Sequence, residues 1–227
     1  MNVREKLLMD GPALLKHGPI NIAVLGDSVS HGEVSGYYDY ENVYWNVLKR
    51  KLHQFRDYVP INVINAAVSG TTAKEALPRI ESQVLSHHPD LVIICFGLND
   101  VTRPLEEYIQ PLAALFDTCL QAQCHTIFMT PNMLNSYVAD DTLACHRDYA
   151  AMTAEIQTGG RMDRYMQAAV ELAKSKGVPV CDCYAQWKEL AKTKDTTMLL
   201  ANRVNHPTPA MHQLFADALY AMIMNEV

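Results

Sequence analysis

Five short apolar runs constrain the fold of this 227-residue chain more than any other feature. Several are rich in valine and isoleucine and are apolar on both faces, which is typical of central parallel strands that helices cover on both sides. Stretches with helical spacing of apolar residues lie between them, and this alternation predicts a parallel sheet in an α/β fold. The predicted strands are residues 20–25, 61–68, 91–96, 126–130 and 178–183.

The segments between and after these runs predict five helices. Pro104 suits the first turn of a helix, and Gly177 has the usual position of glycine just past a helix end. Residues 132–160 are the least regular and are expected to form a loop and a helix that cap a site. The predicted helices are residues 44–58, 72–87, 105–122, 161–176 and 209–225.

Composition and length predict one domain over residues 1–227, with a short helical extension, broken at Gly11-Pro12, at residues 1–18. The formal net charge is -6 with no long run of one sign, which argues against a nucleic-acid partner. No apolar run approaches the roughly 20 residues that span a bilayer, and the first residues do not resemble a secretory signal. We therefore expect a cytoplasmic protein without a membrane partner; a homo-oligomer is left open.

The six cysteines lie mostly in apolar surroundings and are expected to be reduced core thiols. Cys181 and Cys183 lack a second ligand pair at the spacing of a zinc site, so no metal is expected. The first strand is not followed by a glycine-rich phosphate-binding motif, so no nucleotide cofactor is expected either.

Small and polar residues follow three of the predicted strands. They are Gly26-Asp27-Ser28, Ser69-Gly70 and Asn99-Asp100. Ligands of open α/β sheets bind beyond the carboxyl ends of the strands, so these three segments should meet at one edge. Each segment alone is explained by ordinary turn chemistry, and Ser28 by a helix N-cap. Together they favour a site.

The three segments fit the parts of an acyl-transfer site. Ser28 is a candidate nucleophile, which needs a base. The backbone N–H groups of Ser28 and Gly70 and the side-chain amide of Asn99 are candidate donors for an oxyanion hole.

Among the nine histidines, His206 is the best candidate base. Pro207 favours an extended backbone at His206, and Thr208-Pro209 predicts the start of the last helix directly after it. His31 is expected to line the pocket, and His212 to pack or to lie at the surface. Structural or solvated positions explain His53, His87, His88 and His125, and no neighbour indicates a role for His17 or His146.

These residues resemble the blocks of the SGNH hydrolases, also called GDSL-type esterases and lipases. The blocks occur in order as Gly26-Asp27-Ser28, residues 65–70, residues 97–100 and His206-Pro207. The resemblance implies a flavodoxin-like three-layer α/β/α fold and ester hydrolysis without a metal or other cofactor. It implies Ser28 as nucleophile, His206 as base, and Ser28 N–H, Gly70 N–H and the Asn99 side chain as the oxyanion hole.

The chain departs from the family at one position. An aspartate commonly lies three residues before the histidine and orients its ring, but in this chain the residue is Arg203. The candidate orienting groups are a backbone carbonyl, the side-chain oxygens of Asn202 and Asn205, and a carboxylate from elsewhere. We favour a dyad of Ser28 and His206 with a neutral orienting group, while Asp27 should support the turn.

The function expected from these observations is hydrolysis of small acyl esters, acetyl above all, with carbohydrates as substrates by family analogy. The alternatives are a lipase- or thioesterase-type acyl hydrolase and a non-catalytic binding module on the same fold. Four tyrosines after Ser28 either form a wall on which a sugar stacks or pack a loop onto a helix. They are Tyr37, Tyr38, Tyr40 and Tyr44.

Overall fold

Five parallel strands form one sheet in the computed structural model, which describes residues 1–225. The strands are β1 (Ile20–Gly26), β2 (Ile61–Asn65), β3 (Leu91–Cys95), β4 (His125–Met129) and β5 (Val180–Cys181). Their order in the sheet is β2-β1-β3-β4-β5, which is the flavodoxin-like order. The predicted α/β fold is confirmed, and every residue of the central strand β3 is buried.

Helices cover both faces of the sheet. The helices are α1 (Val3–Leu7), α2 (Gly11–His17), α3 (Ser28–His31), α4 (Tyr44–Phe55), α5 (Ala73–Ala76), α6 (Ile80–Gln83), α7 (Leu105–Gln121), α8 (Arg147–Thr158), α9 (Arg161–Ser175), α10 (Cys183–Leu190) and α11 (Pro209–Asn225). Helices α4 and α11 pack together, while α7 contacts α5 and α9 in the other layer. Within residues 1–225, no helix is both long and apolar enough to cross a membrane.

Two predicted strands are shorter in the structure. The run at 61–68 is regular strand only to Asn65, whose side-chain oxygen accepts a hydrogen bond from Ala67 N. Beyond it, Ala66 N and Val68 N still donate to the backbone oxygens of Val24 and Gly26 in β1. The run at 178–183 pairs only at Val180–Cys181, because Asp182 caps the next helix by accepting from Ala185 N. Cys183 therefore opens α10, a helix that the apolar pattern did not predict.

The helix predicted at 72–87 is broken. It consists of α5, a 3₁₀ turn at Leu77–Arg79, α6 and a second 3₁₀ turn. Pro78 lies in the first turn, and a proline cannot donate the hydrogen bond that would continue the helix.

The N-terminal segment forms two helices. Gly11 and Pro12 open the second helix, with Asp10 as its cap, and do not interrupt a single one. Val3 and Leu7 of α1 belong to the hydrophobic core. Lys6 forms a largely buried ion pair with Asp90 at 2.8 Å, which ties this segment to the loop before β3.

The end of β1 is tightly packed around Gly26. A Cβ atom at this position would lie 2.4 Å from Ser30 Oγ and 2.8 Å from the backbone oxygen of Cys95. The carbonyl oxygen cannot move away, because it belongs to the strand that pairs with β1. Only glycine allows the chain to leave the sheet at this point and enter α3 directly.

We predict that Gly26→Ala lowers the free energy of unfolding by about 1–3 kcal/mol, the usual range for overpacking. Chemical denaturation measures it. Gly11→Ala is the matched control, since the nearest atom to its Cβ is the hydroxyl of Tyr58 at 3.1 Å, at the far end of a side chain that can rotate. Equal stabilities of Gly26→Ala and the wild type would contradict this explanation of the turn.

Candidate active site

A cavity of about 260 Å³ lies at the carboxyl edge of the sheet. It brings together the four residues predicted to carry chemistry: Ser28 after β1, Gly70 after β2, Asn99 after β3 and His206 before α11. The other residues that line it are Glu33, Ser35, Gly36, His146, Tyr149, Asn202, Val204 and Asn205.

Ser28 is the first residue of the short helix α3, and Asp27 is the cap. The side chain of Asp27 accepts a hydrogen bond from Val29 N at 3.1 Å, and its backbone oxygen accepts one from His31 N at 2.8 Å. Because Asp27 caps α3, the hydroxyl of Ser28 is not used as a helix cap. The serine, only 5% exposed, presents that hydroxyl to the cavity.

Asp27, the residue before the nucleophile, is completely buried. Its second carboxyl oxygen has no hydrogen-bond partner within residues 1–225. Burial raises the pKa of Asp27 to about 7, with the nearby Asp100 carboxylate adding to the effect. The position and contacts of Asp27 match the supporting role expected from the sequence.

Ser28 and His206 are joined by a hydrogen bond. The distance from Ser28 Oγ to His206 Nε2 is 2.9 Å, and both residues are buried. A serine hydroxyl bonded to an imidazole nitrogen is the arrangement that activates it as a nucleophile.

The other ring nitrogen of His206 contacts the main chain. His206 Nδ1 lies 3.1 Å from the carbonyl oxygen of Val34. A carbonyl can only accept, so Nδ1 must carry the proton of the neutral ring. Nε2 is then unprotonated and accepts from Ser28, which is the tautomer that a general base requires.

The prediction that Asn202 or Asn205 orients the ring is therefore wrong. The side-chain oxygen of Asn205 accepts from Asn202 Nδ2 at 2.9 Å. The side-chain oxygen of Asn202 accepts hydrogen bonds from backbone N–H groups of its own loop. Of the alternatives left open by the sequence, the structure has the backbone carbonyl.

Asn202 instead shapes the loop that carries His206. Its side-chain oxygen accepts hydrogen bonds at 3.0 Å from the backbone N–H groups of Val204, Asn205 and His206. One side chain thus holds three consecutive peptide groups. The loop is closed further by a 2.7 Å bond from Ala201 N to His206 O.

Arg203, at the position of the usual aspartate, points away from the ring. Its guanidinium pairs with Asp141 at 2.9 Å and donates to the backbone oxygen of Leu200 at 2.7 Å. Its φ of 60° is in the left-handed region. The side chain at this position thus ties the His206 loop to the segment before α8.

The candidate oxyanion-hole donors lie around Ser28. Gly70 has a φ of 78°, a conformation that glycine adopts without strain. Asn99 Nδ2 donates one hydrogen to Thr71 O at 3.0 Å, which fixes the amide and leaves its second hydrogen for a ligand. Gly70 and Asn99 both line the cavity with Ser28.

Burial lowers the pKa of His206 below its ordinary value. The Glu33 carboxylate and the bond to Val34 oppose this shift, and His146 adds to it. The ring is therefore neutral, and able to accept a proton, at pH 7.

Several residues of the site were not predicted. Glu33, His146 and Tyr149 line the cavity, and Asn132 supports it from beneath by donating to the backbone oxygen of Asn205 at 2.8 Å. Asn132 follows β4, so a fourth strand end contributes to the same edge. The polar residues directly after that strand were the available signal.

His31, which was expected to line the pocket, lies elsewhere. His31 hydrogen-bonds Ser69 and Tyr40 and packs 4.5 Å from the ring of Tyr38, outside the cavity lining. His212 is buried, stacks on Tyr44 and accepts a hydrogen bond from Tyr44 N, so of its two expected positions it has the packed one.

The four tyrosines after Ser28 divide into two groups. Tyr44 belongs to the core and bonds Ser30 through its hydroxyl at 2.9 Å. Tyr37, Tyr38 and Tyr40 are each about half exposed. None of them is among the residues that line the cavity within residues 1–225.

We predict that Asn202→Ala lowers the free energy of unfolding by about 1–3 kcal/mol, because three backbone N–H groups lose their acceptor. Urea denaturation measures this loss. Asn202→Asp keeps an acceptor oxygen and should lose much less, and Asn62→Ala at the opposite end of the sheet is the matched asparagine control. Equal losses for the Ala and Asp variants would show that the acceptor is unimportant.

We also predict that His206 titrates below an ordinary imidazole. Because the pKa is lowered in the folded state, the unfolded chain binds the proton first as the pH falls. The stability that the neutral ring contributes is therefore present above about pH 6.5 and is lost as the pH falls below it. NMR of labelled histidine, assigned with His206→Gln, measures the titration; a midpoint above about 6.5 would contradict burial as the dominant influence on the ring.

The chain is similar to known proteins in sequence. The model of the GDSL-like lipase/acylhydrolase family matches residues 24–214. An acetylxylan esterase from Geobacillus stearothermophilus is 27% identical over 170 residues, which are 70% of this chain and 70% of that protein.

Solved structures share the fold. The crystal structure of an acetylxylan esterase from Geobacillus stearothermophilus is 24% identical, with a TM-score of 0.69, over 91% of this chain and 95% of that one. The structure of another acetyl xylan esterase is 20% identical, with a TM-score of 0.68, over 89% of this chain and 99% of that one.

Catalytic mutants of the Geobacillus enzyme replace a serine, a histidine and an aspartate three residues before that histidine. Arg203 occupies that spacing in this chain. The family match covers all four sequence blocks, from the end of β1 to the start of α11. The chain therefore belongs to the GDSL-like lipase/acylhydrolase family, and it is a carboxylic ester hydrolase of the SGNH type.

Proposed function

We propose that the protein is a serine esterase that removes small acyl groups, acetyl above all, from hydrophilic alcohols such as carbohydrates. The observation that carries this proposal is the composition of the cavity lining. Among the lining residues within the described part of the chain, Val204 has the one aliphatic side chain. A long acyl chain needs an apolar channel, whereas an acetyl group and a polyhydroxylated alcohol do not.

The proposed mechanism assigns a role to each polar group. Ser28 Oγ attacks the ester carbonyl carbon while His206 Nε2 takes its proton. The oxyanion accepts hydrogen bonds from Ser28 N–H, Gly70 N–H and Asn99 Nδ2. The imidazolium then protonates the leaving alcohol, and the acyl group stays on Ser28.

Water completes the cycle. His206 Nε2 takes a proton from the water that attacks the acyl-serine, and returns it to Ser28 Oγ as the acid leaves. Throughout, the Nδ1–H of His206 donates to the carbonyl of Val34, so the ring keeps one orientation in both half-reactions. Every proton transfer in the cycle therefore passes through Nε2 of His206.

The similarity to acetylxylan esterases supports an acetyl ester of a xylan-like glycan as the first substrate to test. The alternative of a lipase or a long-chain thioesterase is disfavoured because Val204 is the single aliphatic side chain among the lining residues described. The non-catalytic alternative is disfavoured by the 2.9 Å bond between Ser28 and His206, which a binding module would not need. Cytoplasmic location and oligomeric state stay predictions.

We predict that Ser28→Ala reduces hydrolysis of p-nitrophenyl acetate by at least about a thousandfold, as expected when an acyl-enzyme nucleophile is removed. The fold should persist, since only a hydroxyl is lost. Ser175→Ala, an exposed serine at the end of α9, is the control and should be fully active. Retained activity of Ser28→Ala would refute the assignment.

The same assay tests the substrate class. Acetylated xylo-oligosaccharides and p-nitrophenyl acetate should be hydrolysed faster than p-nitrophenyl butyrate, and p-nitrophenyl octanoate should be poor. Preference for octanoate would refute the small-acyl proposal, and a fluorophosphonate probe that fails to label Ser28 would favour the binding module.

A further inference from the structure

A short hairpin follows α3 and lies against His206. Glu33 and Tyr38 pair in an antiparallel bridge, and Val34 N donates to Tyr37 O at 2.9 Å. Gly36 in the turn has a φ of 75°, which glycine accommodates. The hairpin carries the Val34 carbonyl that bonds the ring, so its position decides the orientation of His206.

The hairpin is fastened to the helix that carries the nucleophile. The backbone N–H of Glu33 donates to the backbone oxygen of Ser28 at 2.9 Å, and Asp39 N donates to Gly32 O at 2.8 Å. Residues 33 and 34 are therefore held in a fixed relation to Ser28. The side chain of Glu33 thus starts from a fixed position of the main chain beside the reacting groups.

Glu33 carries a negative charge. Its side chain lines the same cavity as His206, and it makes no hydrogen bond or ion pair within residues 1–225. A carboxylate that faces a cavity without a partner is most stabilised when a positive charge appears nearby. The imidazolium of His206, which forms as Ser28 attacks, is that charge.

The other titratable groups around His206 do not provide this charge. His146, in the turn before α8, lines the same cavity and disfavours the imidazolium. His212 lies behind it in α11, where burial lowers the pKa of that ring to about 4 and keeps it neutral. Arg203 is turned away onto Asp141. The Val34 carbonyl orients the ring but carries no net charge.

We propose that Glu33 is a positioning residue whose carboxylate stabilises the imidazolium of His206, in the place of the aspartate that the chain lacks. Orientation and charge, which one aspartate supplies in a triad, are thus divided between neighbouring residues of one hairpin: the backbone of Val34 and the side chain of Glu33. The inference rests on the proposed roles of Ser28 and His206. The influence of Glu33 on the pKa of His206 has the required sign.

The test is Glu33→Gln, which removes the charge and keeps the shape. With p-nitrophenyl acetate, a substrate without a sugar, we expect kcat to fall about tenfold, since the charged base loses a nearby opposite charge. The acid limb of kcat/KM should move to lower pH, because the imidazolium is less stable, and KM should change little. Glu33→Asp should restore part of kcat.

Glu41→Gln is the matched control, because Glu41 is exposed on the same segment outside the cavity lining, and it should behave like the wild type. An unchanged pH profile of Glu33→Gln, or a loss confined to KM, would overturn the proposal and make Glu33 a structural or substrate-binding residue. Loss of activity in Ser28→Ala together with an unaffected Glu33→Gln would overturn this inference alone. An active Ser28→Ala would overturn the proposed function as well.

Discussion

The hydrogen bond between Ser28 and His206 joins residues that are 178 positions apart in the chain, and the site depends on it. The serine is fixed by the packed end of β1 and by the Asp27 cap. The histidine is fixed on its side by the three backbone bonds to Asn202 and by the carbonyl of Val34. Any change that moves one of these two supports lengthens the bond and removes the base from the nucleophile.

Much of this arrangement could be predicted, because its signals are local. A buried apolar run followed directly by Gly26-Asp27-Ser28 marks a strand end, and parallel strands place their ends at one edge. Gly70 and Asn99 follow the next two strands along the chain, so the same rule predicts them at this edge. His206 was identified from the prolines around it. Each residue is specified by its near neighbours and by the topology that alternating elements impose.

The orienting group of His206 could not be predicted for an equally physical reason. Every residue has a carbonyl, so nothing in the sequence distinguishes that of Val34; only the hairpin that brings it to the ring does. The family's aspartate position predicts an orienting side chain among residues 202–205. In the structure, the side chain of Asn202 accepts hydrogen bonds from the backbone of its own loop. Asn132 was missed because its partner is the main chain of a loop 73 residues later. The break at Pro78, by contrast, was visible in the sequence.

The central claim is that His206 is a base oriented by a main-chain carbonyl, and the tautomer of its ring tests this most directly. Nitrogen-15 chemical shifts of the His206 side chain at neutral pH, in the labelled protein, report which nitrogen carries the proton. We expect a protonated Nδ1, donating to Val34, and an unprotonated Nε2 facing Ser28. A proton on Nε2 with a bare Nδ1 would contradict the claim.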